Sequence, residues 1–117
     1  MQGKRLARLQ GLFNIANGAW PLLHMESFEA IFGPKTDRWL VRTVAGLLLG
    51  NGIVQFAAAE DEAGVRHARR VGLATAATLL AVDLRYAPTG RISRLYLLDA
   101  AAEAAWIALW VRSRQQS

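Results

Sequence analysis

Residues 39–59, WLVRTVAGLLLGNGIVQFAAA, decide how the chain reads, because no charged side chain occurs from Thr43 to Ala59. As a helix rising 1.5 Å per residue, this stretch would be about 30 Å long, the thickness of a bilayer's hydrocarbon core. A soluble amphipathic helix spreads its charges along one face at a 3.6-residue period. Here they are pushed to the ends, and the same segregation runs through the whole sequence.

Most charged residues fall in four clusters, 4–8, 35–42, 60–70 and 85–94, separated by apolar stretches. These stretches place candidate membrane spans at 6–24, 39–59, 71–87 and 94–111. With 117 residues the chain is long enough for a single domain, 1–117. Hydrophobic residues make up 53%, yet mean hydropathy is only +0.17, because the intervening clusters are highly charged. The expected fold is therefore all-α: a four-helix transmembrane bundle with a short amphipathic segment between helices 1 and 2. That segment lies within 25–38, MESFEAIFGPKTDR. Phe28, Ile31 and Phe32 share a helix face there, Gly33-Pro34 stops the helix, and an interfacial helix or lid is expected. The charged stretch 60–70 reads as a loop, and Pro88 with Gly90 reads as a tight turn.

The net charge of +5 admits two readings: a nucleic-acid surface, or Arg-rich loops beside a membrane. No basic run is interleaved with aromatics as a base-stacking surface requires, so no nucleic-acid partner is expected. Lys and Arg divide eight against five between the two sides of the four spans, with Arg42 left out as intramembrane. This places both termini in the cytoplasm. The chain has no Cys and only two His, far apart in sequence, so neither a metal site nor a cofactor is expected. A cleaved signal peptide is disfavoured, since Gln10, Asn14 and Asn17 interrupt the first apolar stretch. A soluble Ala-rich bundle is disfavoured by the uncharged run in the second.

The fourth span, LYLLDAAAEAAWIALWV at 95–111, carries Asp99 and Glu103 one helical turn apart. Two acids at a span's centre cost about 5–7 kcal/mol on insertion scales, while its six aliphatic residues return about 2–4. The helix can sit in lipid only if the acids turn inward to partners or are protonated. Tyr96, Asp99, Glu103, Trp106 and Trp110 form one stripe, and Gln10, Asn14, Asn17, Pro21 and His24 form another on the first span. Arg42 on the second span is expected to pair with Asp83, Asp99 or Glu103, because a guanidinium can bind a carboxylate through two hydrogen bonds. Asn51, Gln55 and Gln10 read more simply as interhelical hydrogen bonds. Gly46 and Gly50 form a GxxxG pattern, serving either homodimerisation or packing within the bundle.

The segments FGPKTDRWLVRTV and YLLDAAAE resemble those of a family of small, uncharacterised bacterial four-span membrane proteins. The resemblance implies a bacterial inner-membrane location and no particular activity. The residues themselves suggest a pocket for a small lipophilic or cationic ligand, or a proton. Asn14, Asn17, Trp20, Arg42, Asp83, Tyr96, Asp99, Glu103 and Trp106 would build it, with Trp110 a further wall. Two alternatives stand beside this reading. One is a membrane enzyme acting on a lipid or isoprenoid, with Asp99, Glu103 and Asp83 as candidate acids and bases. The other is a structural subunit or assembly factor of a membrane complex.

Overall fold

The computed structural model describes residues 2–33, 37–88 and 95–116. They form five α-helices: α1 Gln2–Leu23, α2 Met25–Phe32, α3 Arg38–Ala57, α4 Glu62–Tyr86 and α5 Tyr96–Gln116. A 3-10 turn, Ala58–Glu60, joins α3 to α4. The four long helices lie along one axis in a body of 43 × 27 × 17 Å. Among these helices only the Arg38–Glu60 segment is long and apolar enough to cross a membrane by composition, with a mean hydropathy of 1.4. Among the described residues the fold is thus all-α, and the expected apolar segments fall mostly within α1, α3, α4 and α5.

Two boundaries differ from expectation. Residues 62–70, read above as loop, are the first turns of α4. Asp61 adopts an extended backbone and its carboxylate accepts a 2.6 Å hydrogen bond from the Gly64 N–H, capping the helix. Glu62 in the first turn suits the positive end of the helix dipole. The fourth helix also runs past residue 111, to Gln116. Residues 89–94 of the expected Pro88-Gly90 turn, and Pro34 of the Gly33-Pro34 stop, lie outside the described residues.

The short amphipathic helix forms as expected. His24 is its N-cap, with Nδ1 accepting from the Ser27 N–H at 3.2 Å. At the other end the Gly33 N–H bonds to Glu29 O at 2.8 Å. Gly33 has φ 97°, a backbone region that glycine enters without a Cβ clash. Arg38 and Glu29 form an ion pair that ties α2 to the start of α3.

Helices α1 and α3 run antiparallel in very close contact. Gly11 lies against Gly52, and Gly18 against Ala45, so small residues seven apart on each helix face one another. A Cβ added at Gly11 would come 2.8 Å from Gly52 O, and one at Gly52 would come 2.5 Å from Gly11 O. Gly18 has the same problem against Ala45 O. The GxxxG pair takes no part: beside Gly46 and Gly50 there is open space. Among the described residues, the α1–α3 seam does not run through them.

The largest fully buried side chains are mostly polar, while many large hydrophobic ones are exposed. Of the five largest fully buried side chains, four are polar or charged: Gln10, Gln55, Glu103 and Asn14, beside Trp110. Leu23, Trp39, Leu47 and Leu98 are at least 65% exposed. In soluble folds the largest fully buried side chains are mostly apolar.

Buried amides join the four long helices. Gln10 Nε2 donates to Gly72 O at 3.1 Å. Gln10 Oε1 accepts from Gln55 Nε2 at 2.9 Å and from Trp110 Nε1 at 2.6 Å. Gln55 Oε1 accepts from Asn14 Nδ2 at 2.7 Å. On α3, Asn51 donates to Thr75 Oγ1 of α4 at 3.2 Å. Gln10, Asn51 and Gln55 thus act as interhelical hydrogen bonds, as the sequence suggested. A small apolar cluster of Leu6, Ala7, Ala59, Ala68 and Trp110 closes this end of the bundle.

The glycine contacts make a differential prediction. Gly52→Ala lowers stability by about 1–3 kcal/mol through overpacking against the α1 backbone. Gly50→Ala, facing open space, is neutral or raises stability by up to about 1 kcal/mol through helix propensity. Thermal unfolding followed by circular dichroism separates the two; equal effects would mean that α1 and α3 do not meet along this seam.

Candidate functional site

A cavity of about 350 Å³ lies on the other side of the amide network, between all five helices. Most of its wall is apolar. Helix α3 contributes Leu40, Val41, Val44, Ala45 and Leu48, α2 contributes Phe28 and Phe32, and α4 contributes Leu79 and Val82. The polar groups come from α1, α4 and α5: Asn14 and Asn17, Asp83, and Tyr96, Asp99 and Glu103. Phe13 and Pro21 of α1 complete the lining. No Lys, Arg or His is among the described residues that line it.

The three carboxyls form a row. Asp99 and Glu103 are one turn apart on α5, and Asp83 faces them from α4. All three line the same cavity. Asp83 is 3% exposed and Glu103 1%. Asp83 Oδ2 and both Glu103 oxygens receive no hydrogen bond from a described donor. Of the nearby amides, Asn14 Nδ2 donates to Gln55 Oε1 and Asn17 Nδ2 to Phe13 O at 2.8 Å. Buried polar atoms left without partners are rare and costly. A bound cation or proton is what such oxygens would take. The described His, Asp and Glu residues form no group of three or more placed to hold a metal ion.

Of the expected site residues, Asn14, Asn17, Asp83, Tyr96, Asp99 and Glu103 come together at the cavity. Trp20 and Trp106 stand one layer behind it. Trp20 packs edge-on against Phe28 and Phe32, with ring centroids 5.5 and 5.8 Å away, and Trp106 lies 5.6 Å from Phe13. Trp110 is in the core, bonded to Gln10 rather than walling the pocket.

Arg42 is exposed, lies outside the cavity and forms no ion pair with Asp83, Asp99 or Glu103. The reason is azimuthal. The inward face of α3 is Val41, Val44, Ala45 and Leu48, at helical spacing, and the residue after Val41 points about 100° away from that face. The α2 phenylalanines were legible only as an amphipathic stripe. Their role as a cavity wall comes from α2 folding back on α1 and α5, where Phe32 meets Tyr96 at 4.7 Å.

No protein-family model, curated protein or solved structure matches this chain. The chemistry of the cavity has to be read from its own residues.

The two kinds of buried polar group should answer mutation with opposite signs. Glu103→Leu removes oxygens that have no partner and should raise unfolding stability by about 1–3 kcal/mol. Asn14→Leu leaves Gln55 Oε1 without its donor and should lower it by a similar amount, about 1–3 kcal/mol. Chemical denaturation of the two variants beside the parent checks this, and a destabilised Glu103→Leu would mean that the carboxyl has a structural partner.

Proposed function

We propose that the chain is a multi-pass membrane protein whose bundle binds a lipophilic cation in the carboxyl-lined cavity. The observation that carries this reading is Glu103: 1% exposed, without a partner, and facing a mostly apolar cavity that holds no basic side chain among its described residues. A cationic head would satisfy the acids, while Phe28, Phe32 and Tyr96 offer aromatic faces to the same charge. The apolar wall on α3 would receive the rest of the ligand.

A bilayer setting is supported by the inverted distribution of polar and apolar residues. At 1.5 Å per residue, α1, α3, α4 and α5 are about 30–38 Å long, enough to cross a hydrocarbon core of about 30 Å. Gly3 of α1 lies against Val65 of α4 and near Ser113 of α5. Lys4, Arg5, Arg8, Arg66, Arg69, Arg70 and Arg112 therefore collect at one end, the end that would face the cytoplasm of a bacterial inner membrane. The remaining spans are less apolar than α3 because their polar residues turn inward, as intramembrane ionisable groups generally do.

A second reading uses the same carboxyls as an acid/base relay on a lipid or isoprenoid substrate. It is favoured by three carboxyls, Asp83, Asp99 and Glu103, lining one cavity, which would allow a proton to pass between them. Accumulation of a lipid precursor in a deletion strain would favour this reading over ligand binding.

For the binding reading, protein purified in mild detergent should bind benzyltrimethylammonium, a permanently charged aromatic cation, by isothermal titration calorimetry. The Asp99→Asn/Glu103→Gln variant should bind at least about tenfold more weakly, equivalent to about 1.4 kcal/mol. Protein recovered from cells in soluble form without detergent, or a variant that binds as well as the parent, would overturn the proposal.

A further inference from the structure

The cavity is open on one side, and the place where it opens bears on the class of molecule it takes. This step rests on the binding and bilayer readings above. We infer that the ligand is a long-chain amphiphile of the bilayer, with its cationic head at the carboxyls and its alkyl chain leaving the protein sideways through a slot between α3 and α4.

Helix rotation locates the slot. Asn51 of α3 bonds to Thr75 of α4, and Gln55, one turn on, donates to Ala68 O at 3.4 Å, so this face of α3 looks at α4. Leu47, Val44 and Leu40 continue the same stripe of α3 at helical spacing. On α4, Thr75 is followed by Leu79, Val82 and Tyr86, again on one stripe. Seven residues along each antiparallel helix from the Asn51–Thr75 bond, Val44 comes opposite Val82. Helices in continued contact would bury both stripes. Instead Leu40, Val44 and Leu47 are 44, 49 and 66% exposed, and Val82 is 43% exposed. The two helices are thus joined at the amide cluster and parted beyond it. Leu40, Val44 and Val82 also line the cavity, whose other lining residues are buried or half-buried. The opening therefore lies between these three side chains.

Its chemistry and depth indicate what passes through. All three side chains at the mouth are aliphatic, while the carboxyls of Asp83, Asp99 and Glu103 lie within. Leu47 is about 13 Å along α3 from Arg38, inside the hydrocarbon if α3 spans it, so the slot faces acyl chains. The end where α1 stops is walled by Phe28 and Phe32 of α2, with Phe32 against Tyr96. A volume of about 350 Å³ is near the small end of ligand pockets, which run from about 300 to 1,000 Å³. A cationic head fills much of that space, and a long chain attached to it has to continue through the slot.

The test uses the full chain in phosphatidylcholine nanodiscs and a decyltrimethylammonium probe carrying a diazirine midway along its chain. After photolysis, adducts that excess benzyltrimethylammonium suppresses should map by mass spectrometry to residues 40–48 and 79–86. Suppressible adducts confined to α1, α2 or α5 would overturn the slot while leaving the binding site intact. A Val44→Asn/Val82→Asn variant makes the mouth polar. The ratio of its affinity for the decyl probe to that for benzyltrimethylammonium should fall at least about tenfold below the parent's, the equivalent of about two methylenes losing their apolar surroundings. An unchanged ratio would overturn the slot as well. Failure of benzyltrimethylammonium to bind the parent at all would instead overturn the site, and the slot with it.

Discussion

Everything in this fold depends on five buried hydrogen-bonding groups finding each other: the side chains of Gln10, Asn14, Gln55 and Trp110, and the carbonyl of Gly72. In an interior that excludes water, each amide must meet another group of the protein or forfeit the full cost of its desolvation. Gln10 sits at the centre, accepting from α3 and α5 and donating to α4. This cluster does what a packed aliphatic core does in a soluble bundle, with greater directional specificity, because hydrogen bonds fix angle as well as distance. Gly72 is part of the same constraint: a Cβ there would collide with Gln10 Oε1. The amides can come together only because α4 presents bare backbone at that point.

The cavity follows from where this cluster stops. On its far side the same helices still face one another, but they carry carboxyls and apolar residues instead of complementary amides. Asn14 belongs to both regions, bonding to Gln55 while lining the cavity. The contrast between bonded amides and carboxyl oxygens that no described donor reaches, separated by so little of α1, is what the proposed binding site rests on.

Much of this was legible in the sequence, because inward-facing polar residues on a helix leave a periodic trace. The stripe Tyr96, Asp99, Glu103, Trp106 and Trp110 indeed turns towards the bundle, and so does most of the stripe from Gln10 to Pro21. His24 departs from it, exposed and capping α2 instead. The partner of each polar group was less legible, since that depends on relative helix rotation. Arg42 illustrates the difficulty: its depth in the chain suggested a partner for the acids, yet one step along the helix from Val41 turns it out of the cavity. The glycines of α3 posed a similar choice. Gly46 and Gly50 present the familiar spacing, but the contact runs through Ala45 and Gly52, matched to Gly11 and Gly18 at a spacing of seven. Two sequences at equal spacing had to be compared to see it. The start of α4 was hidden by its charges, which look like loop until the Asp61 cap is recognised.

The close-fitting glycine seam has a mechanical corollary. Carbonyls nested against bare α-carbons leave α1 and α3 little room to slide, since any side chain brought to Gly11, Gly18 or Gly52 would meet the opposing backbone. Two helices so interlocked resist sliding past one another, so the α3 wall of the cavity is held in register with Asn14 and Asn17 of α1.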